Sequence, residues 1–293
     1  MRRPLLLVAV LAAAWAALPG AAQAAPGGRL LFDDSRLADA CGESCEETGP
    51  PPSSIFSMRA SGKGFRRLVL PCVDARCSWA APVPSPDGRT IALPGLWLVD
   101  HDGKNLRRVP GLDADVSDPA WSPGGSRLAF SCFWRIEDGG SQSDVCTVAR
   151  DGSDLRRLTT TGAGEPTWSP RGRIAFVSPV VYQGAPRLWT MPAAGGAARL
   201  VAAGFVRGPS FSPGGSRIVY GCSGGVCIVS PDGSGRRKLV RFGSVPAWSP
   251  NGRWIAFVGQ DGISRIRPDG TGRTLISRRS YPYDNLAWTR TPH

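Results

Sequence analysis

The sequence predicts an all-β protein, a six-bladed β-propeller whose blades are four-stranded antiparallel sheets. Three observations lead to this fold class. A motif recurs about every 40 residues, which is the spacing of propeller blades. The third predicted strand of most repeats is apolar on both faces, and the two chain ends each supply part of one blade.

The recurring motif centres on a Ser-Pro pair that follows an aromatic residue. The stretch "DPAWSPGGSRLAF" at 118–130 returns as "EPTWSPRGRIAF", "GPSFSPGGSRIVY" and "VPAWSPNGRWIAF", beginning at Glu165, Gly208 and Val245. The second repeat departs from the pattern, because Pro84 stands where the others carry Trp or Phe. The proline and glycine that follow each anchor are suited to a tight turn, since one fixes φ and the other accepts a positive φ.

Each period predicts four strands joined by two short turns and one variable connection. The anchor is the first strand, an apolar run such as "RLAF" is the second, and a "DG" turn separates the third strand from the fourth. The third strands carry adjacent apolar residues, as in Val145-Cys146 and Leu188-Trp189. A strand that is apolar on both faces must be covered on both. Sheets stacked radially against one another provide that cover, and no long helical pattern offers another.

The chain ends complete the ring. The segment 28–34 resembles a second strand with no anchor before it, and 53–68 supplies the third and fourth strands of the same blade. The segment 285–290 is an anchor with nothing after it. Joining the C-terminal strand to the N-terminal blade therefore gives a sixth blade and leaves no open edge between first and last blades.

The repeat resembles that of the TolB-type β-propeller family, whose pattern is a Pro-x-Trp-Ser-Pro-Asp-Gly anchor, an Ile-Ala-Phe strand and an Asp-Gly close before Leu-Thr. The resemblance runs from about Gly28 to Arg290 and implies a protein or peptide partner at the cell envelope. TolB proteins also carry a mixed α/β domain ahead of the propeller. The sequence here leaves no room for it, so we expect a propeller without that N-terminal domain.

The first 24 residues predict a secretory signal peptide. Arg2 and Arg3 precede an apolar run from Leu5 to Leu18, and small residues around Ala24 suit cleavage. The apolar run is too short to span a bilayer, and no later segment is apolar enough. We therefore expect a secreted or periplasmic protein in which residues 25–293 form a single domain.

The eight cysteines predict local disulfides. An even cysteine count in an exported chain indicates a disulfide framework, and the short spacings favour four pairs: Cys41 with Cys45, Cys72 with Cys77, Cys132 with Cys146, and Cys222 with Cys227. Zinc is the competing interpretation, but the chain has no Cys-x-x-Cys motif and only two histidines. The pairs either hold loops in a binding conformation or simply stabilise an exported fold.

The formal charge of +12 is open to two interpretations. Arginine, alanine, glycine and proline are abundant together, as GC-rich coding produces, and a functional anion-binding role is the alternative. Aromatic and basic residues are not interleaved as in nucleic-acid-binding proteins, so no nucleic-acid partner is expected. Arginine pairs such as Arg156-Arg157 are expected on the outermost strands, where charge prevents edge-to-edge pairing.

Candidate binding residues lie on the propeller face that carries the variable connections, because variable loops on a rigid frame commonly carry function. Aromatic and arginine residues are frequent interface anchors, and two carboxylates stand where anchor strands begin. The candidates are Trp134, Arg135, Tyr182, Tyr281 and Tyr283, together with Asp118 and Glu165. Trp134 and the three tyrosines are expected outside the strand pattern, with Arg135 next to Trp134, whereas the tryptophans that recur once per blade are expected in the packing.

These residues predict a monomeric, non-catalytic protein-binding or scaffolding module with no metal and no cofactor. The acidic residues near 113–118 and 137–138 match no ordered calcium loop and are interpreted as a solvated patch. The "GCSGG" run at 221–225 matches a nucleophile motif, but it lies in a predicted hairpin and not before a helix. The alternative is a glycan or peptide hydrolase or lyase that uses carboxylates at the channel mouth.

Overall fold

The computed structural model describes residues 28–33, 54–69, 82–112, 116–135, 140–179, 185–278 and 286–289. Within them the chain forms six four-stranded antiparallel sheets and one 3-10 turn at Pro94–Leu96. The predicted fold class is therefore confirmed. The predicted signal peptide lies outside the described residues.

Three blades follow the first chain end. Blade 1 contains β1 (Arg29–Asp33), β2 (Ser54–Arg59) and β3 (Arg66–Val69). Blade 2 contains β4 (Val83–Pro84), β5 (Thr90–Leu93), β6 (Trp97–Asp100) and β7 (Arg107–Arg108). Blade 3 contains β8 (Val116–Trp121), β9 (Arg127–Arg135), β10 (Ser141–Ala149) and β11 (Arg156–Arg157).

The other three blades have the same order. Blade 4 contains β12 (Gly164–Ser169), β13 (Arg173–Ser178), β14 (Arg187–Pro192) and β15 (Arg199–Ala202). Blade 5 contains β16 (Val206–Phe211), β17 (Ile218–Cys222), β18 (Gly225–Val229) and β19 (Arg237–Arg241). Blade 6 contains β20 (Gly243–Trp248), β21 (Ile255–Gly259), β22 (Gly262–Ile266) and β23 (Thr274–Ser277).

The C-terminal strand closes the ring, as predicted. Strand β24 (Leu286–Thr289) pairs antiparallel with β1, so that Trp288 lies opposite Leu30. It takes the innermost place in blade 1, which the first strand of each repeat takes in the other blades. The second repeat also fits the pattern, although its first strand is only two residues long.

Among the residues that the structure describes, the core consists of six apolar clusters, one between each pair of neighbouring blades. The cluster between blades 3 and 4, for example, packs Val145 and Phe176 against Ile174 and Met191. The cluster between blades 6 and 1 unites Trp288 with residues of both chain ends. The clusters explain the doubly apolar strands, because each blade buries one face against each neighbour.

The two faces of the propeller differ in their connections. One face carries the short turns after the first and third strands, and we call it the turn face. The other carries the second-to-third connections and the inter-blade links, and we call it the loop face. The innermost strands run from the loop face to the turn face, so the first residues of each lie at the loop face.

Candidate functional site

An open channel mouth lies at the centre of the loop face. The cavity has a volume of about 640 Å³ and is lined by the innermost strands of all six blades. Its polar lining includes Asp118, Glu165 and Arg207, and its apolar lining includes Phe205 and Trp248. The channel therefore brings together the two carboxylates that the sequence analysis singled out.

Both carboxylates lie on a β-bulge that recurs in four blades. Asp118, Glu165, Gly208 and Val245 have φ values of 50°, 50°, 51° and 44° and each precedes a proline. The register between the first and second strands shifts at each of these positions. Proline suits a bulge because it cannot donate to the strand ladder. A bulge redirects the bulged side chain, and here four bulges surround the same channel.

Glu165 joins blades 4 and 5. Its Oε2 accepts a hydrogen bond from the backbone N–H of Gly208 at 2.6 Å, and its Oε1 lies 3.5 Å from Nη1 of Arg207. Burial raises the pKa of Glu165, and the charge of Asp118 raises it further, against the lowering effects of Gly208 and Arg207. The balance leaves this carboxyl group easier to protonate than an ordinary glutamate.

Asp118 joins blade 3 to blade 4 through a serine. Its Oδ2 accepts hydrogen bonds from the hydroxyl groups of Ser117 at 2.8 Å and Ser131 at 2.7 Å. The Ser131 hydroxyl oxygen in turn accepts the backbone N–H of Glu165 at 3.1 Å. A polar chain thus runs around the channel from Asp118 to Gly208.

Trp134 and Arg135 lie within a strand, so the expectation that they stand outside the strands is wrong. Strands β9 and β10 each have nine residues, and Trp134 pairs with Gln142 near their exposed end. The additional cross-strand pairs extend the hairpin beyond the length of its neighbours, which explains the difference. The hairpin leaves Trp134 at the loop face with 38% of its surface exposed.

A buried carboxylate holds the base of this hairpin. Asp144 is fully buried and accepts hydrogen bonds from Nε of Arg157 at 3.0 Å and from the hydroxyl group of Thr159 at 3.0 Å. The Arg157 guanidinium lies over the Trp134 ring, 4.8 Å from its centroid. The orientation of Trp134 is therefore supported through Arg157, which is ion-paired with the buried Asp144.

Two predicted disulfides are present and occupy the same place in two blades. Cys132–Cys146 joins β9 to β10, and Cys222–Cys227 joins β17 to β18. Cys146 lies directly opposite Phe130, and Cys227 lies directly opposite Tyr220. In each blade the partner cysteine stands two residues after that aromatic residue on the second strand. The Cys222–Cys227 bond lies beside the hairpin turn at the loop face, whereas Cys132–Cys146 lies near the middle of the longer β9–β10 hairpin.

The remaining predicted positions lie outside the described residues. They are Tyr182, Tyr281, Tyr283, Cys41, Cys45, Cys72 and Cys77. Among the residues that the structure does describe, no three His, Cys, Asp or Glu side chains are grouped closely enough to hold a metal ion. Ser223 of the "GCSGG" run is exposed in a hairpin turn, while His101 begins a turn on the opposite face.

Sequence reasoning missed three exposed aromatic residues at the loop face: Phe133, which is 43% exposed near the end of β9, and two residues in inter-blade links. Phe205 precedes β16 and is 48% exposed, and Phe242 precedes β20 and is 61% exposed. A single phenylalanine in a β-rich repeat is usually a packing residue. The usable signal for Phe205 and Phe242 was position, because both stand in short inter-blade links and match no residue of the repeating motif.

The fold and the channel define the protein as a closed six-bladed propeller with an open, mixed-charge channel mouth. The model of the TolB beta propeller domain matches residues 79–290, and the chain belongs to that family. The described residues form no helix long and apolar enough to cross a membrane.

Similar proteins agree with this assignment. A Tol-Pal system protein TolB from Syntrophus aciditrophicus (strain SB) is 33% identical over 107 residues, which are 36% of this chain and 20% of that protein. The crystal structure of TolB from Acinetobacter baumannii has a TM-score of 0.68 at 17% identity, covering 89% of this chain and 66% of that one. A putative TolB from Agrobacterium tumefaciens has a TM-score of 0.63 at 18% identity, covering 86% and 88%. The chain thus matches one fifth of the curated relative's length, and the two solved structures share its fold.

Proposed function

We propose that this protein is an exported, non-catalytic protein- or peptide-binding module of the cell envelope. In this proposal residues 1–24 are a cleaved signal peptide, and 25–293 form a single monomeric propeller domain. The partner is a protein or peptide and not a nucleic acid, and no metal or cofactor takes part.

The observation that carries the proposal is the channel mouth. A cavity of about 640 Å³ is large enough to accept several side chains. Its wall combines hydrogen-bonding groups with apolar surface, since Asp118 and Glu165 face the same space as Phe205. Such mixed pockets suit a peptide, whose backbone needs polar partners and whose side chains need apolar ones.

Two further findings support the compartment. The disulfides Cys132–Cys146 and Cys222–Cys227 suit an oxidising environment. The curated relative is named as a Tol-Pal system protein. Both agree with a secreted or periplasmic protein.

We assign the binding surface to the channel mouth and the hairpin beside it. Asp118 and Glu165 would contact the part of the partner that enters the channel. Trp134 and Arg135 would contact the part that lies over blade 3, and Tyr182, Tyr281 and Tyr283 are further candidates on the same face. The stacking of Arg157 on Trp134 reduces the entropy lost when Trp134 binds.

Partner capture from native envelope extract tests this function. The oxidised full-length protein is immobilised, and the bound proteins are identified and then measured by titration. We expect Trp134→Ala and Asp118→Asn to weaken the binding of at least one partner about tenfold or more. Leu155→Ala, which removes an exposed apolar side chain on the turn face, is the matched control. Unchanged binding in both site variants would remove this site from consideration.

A carboxylate-based hydrolase or lyase is the second candidate, favoured by one observation. Glu165 has a raised pKa and shares the cavity with Asp118, and two carboxyl groups in unlike environments are the usual means of acid-base work. Turnover of a glycan or peptide that falls at least a hundredfold in Glu165→Gln would support it. Turnover that persists in this variant would assign the activity to another site or to a contaminant.

A further inference from the structure

The charge of the chain is concentrated in one part of the ring. From residue 166 to residue 260 the sequence has eleven basic residues and a single acidic one, Asp232. The basic residues are Arg171, Arg173, Arg187, Arg199, Arg207, Arg217, Arg236, Arg237, Lys238, Arg241 and Arg253. This stretch comprises blade 4 after Glu165, blade 5 and the first part of blade 6, so one side of the ring is strongly positive.

Blade 5 combines this charge with exposed aromatic surface at the loop face. Arg207 lies at the channel and its side chain is 61% exposed. Lys238 and Arg241 lie on the outermost strand β19, and both are exposed. Phe205 and Phe242 stand in the links on either side of the blade. We call these five residues the blade 5 surface.

The blade 5 surface follows one blade from the channel to the rim. Arg207 pairs with Gly221 on β17, and Arg241 pairs with Gly225 on β18, so both lie at the loop-face end of their strands. Four strands at a spacing of about 4.8 Å extend for about 14 Å. An extended peptide covers that distance with about four residues.

Local contacts hold the blade 5 surface in place. The Cys222–Cys227 disulfide fixes the hairpin below it. Nζ of Lys238 donates to the carbonyl oxygen of Ser223 at 2.8 Å, and the backbone N–H of Phe242 donates to that of Gly224 at 2.8 Å. Phe242 has a φ of 61°, a conformation that is unfavourable for phenylalanine, and 61% of its surface is exposed. Stored strain of this kind is commonly found at binding sites.

The positive charges of the outer part of this surface are not neutralised within the described residues. Neither Lys238 nor Arg241 forms an ion pair there, whereas Arg207 lies 3.5 Å from Glu165. An anionic partner would meet two available cations at the rim and two exposed phenylalanine rings beside them.

We infer that the blade 5 surface binds an acidic peptide segment that carries apolar side chains between its carboxylates. The inference rests on the proposed peptide-binding function and names the chemistry of the partner. Carboxylates would pair with Lys238 and Arg241, and apolar side chains would cover Phe205 and Phe242. A peptide fits better than a lipid bilayer because the surface is about one blade long and borders a concave channel.

Peptide selection followed by titration tests the inference. The oxidised full-length protein is used to select from a random library of linear twelve-residue peptides. We expect the selected sequences to be enriched in Asp and Glu together with Phe, Leu or Trp. A fluorescein-labelled selected peptide is then titrated by fluorescence anisotropy at 50 and 300 mM NaCl, and the affinity is expected to fall at the higher salt concentration.

Variants assign the site. The double variant Lys238→Glu/Arg241→Glu is expected to weaken binding of this peptide about tenfold or more, and Phe242→Gly is expected to weaken it several-fold. Arg171→Glu/Arg253→Glu makes the same charge change on the exposed turn face and is expected to change the affinity less than about twofold. Thermal midpoints of all variants check that the fold is retained.

The outcomes separate this inference from the proposed function. Selected peptides that are neutral or basic, with binding lost in Asp118→Asn, would keep the proposed function and overturn the acidic partner. Acidic peptides that bind the Lys238→Glu/Arg241→Glu variant normally would overturn the blade 5 surface. A selection without enrichment would count against both. Binding to phosphatidylglycerol vesicles that depends on Lys238 and Arg241, without acidic peptides in the selection, would replace the peptide with a lipid surface.

Discussion

Glu165 accepts a hydrogen bond from the backbone N–H of Gly208 and so joins the bulged innermost strands of two neighbouring blades. The contact is 2.6 Å long and lies at the channel mouth. Glu165 therefore links two blades and also forms part of the proposed binding site. Its carboxyl group is desolvated, faces the channel and has a raised pKa.

The pH dependence of Glu165→Gln follows from that raised pKa. The folded protein binds the proton of Glu165 more tightly than the unfolded chain does, so ionisation of this group favours unfolding. The stabilising contribution is present below the ordinary value of 4.5 and is lost as the pH rises through the raised value. Glutamine keeps an acceptor for Gly208 and does not ionise. We therefore expect Glu165→Gln to have a higher thermal midpoint than the wild type at pH 7, with the difference vanishing below pH 4.5.

Asp154→Asn is the matched control for this measurement. Hydrogen bonds from Arg156 and Arg127 lower the pKa of Asp154, so its ionised form favours the folded state. Asparagine at this position should therefore lower the midpoint at neutral pH, and the loss should shrink at low pH. A Glu165→Gln variant that behaves like Asp154→Asn would show that the Arg207 ion pair outweighs desolvation.

The fold was predictable from sequence because each blade repeats the same short sequence signals. The anchor, the Ser-Pro turn and the "DG" turn each depend only on residues within one repeat. The short cysteine spacings predicted the two observed disulfides. The site was only partly predictable. The hairpin continues as strand through the cross-strand pair of Trp134 with Gln142, and the Trp134 ring packs against Arg157 of β11. No local sequence pattern reports either contact. Phe205 and Phe242 have the residue type of packing residues, and only their position in the inter-blade links indicates in sequence that they differ from the buried Phe130 and Phe257.

The two classes of tryptophan should differ in their effect on stability. Trp288 is buried between blades 6 and 1, and its Nε1 donates to the carbonyl oxygen of Ala247 at 3.1 Å. Trp288→Ala is therefore expected to lower the free energy of unfolding by about 3–5 kcal/mol. Trp134→Ala loses mainly the stacking with Arg157 and should cost less than about 1 kcal/mol. Urea denaturation followed by far-ultraviolet circular dichroism measures both, and equal losses would contradict the assignment of Trp134 to an exposed surface.

Removing the carboxylate of Asp144 should loosen blade 3. Asp144→Asn weakens the fully buried partner of Arg157 and disturbs the acceptor of Thr159. Breaking a buried ion pair costs about 3–5 kcal/mol, and we expect the lower end because Arg157 can reach solvent. Hydrogen exchange measured by mass spectrometry should increase, relative to the wild type, more in β9–β11 than in β17–β19. Uniformly faster exchange in all blades would indicate a global loss of stability instead of a local role.

The bulge positions of blades 5 and 6 offer a reciprocal exchange that isolates backbone strain. Val245 has a φ of 44° and Gly208 a φ of 51°, in equivalent positions before a proline. This left-handed conformation costs about 1–2 kcal/mol for a residue with a Cβ atom, more for a β-branched one, and little for glycine. We expect Val245→Gly to raise the free energy of unfolding by about 0.5–1 kcal/mol, and Gly208→Val to lower it by about 1–2 kcal/mol.

A Cβ atom at Gly208 would meet no heavy atom within 4 Å, so steric contact would not account for the loss. Because Glu165 accepts only the backbone N–H of Gly208, its hydrogen bond is available in both variants. Changes of the same sign in the two variants, measured by urea denaturation, would mean that side-chain contacts and not φ determine which residue these bulges tolerate.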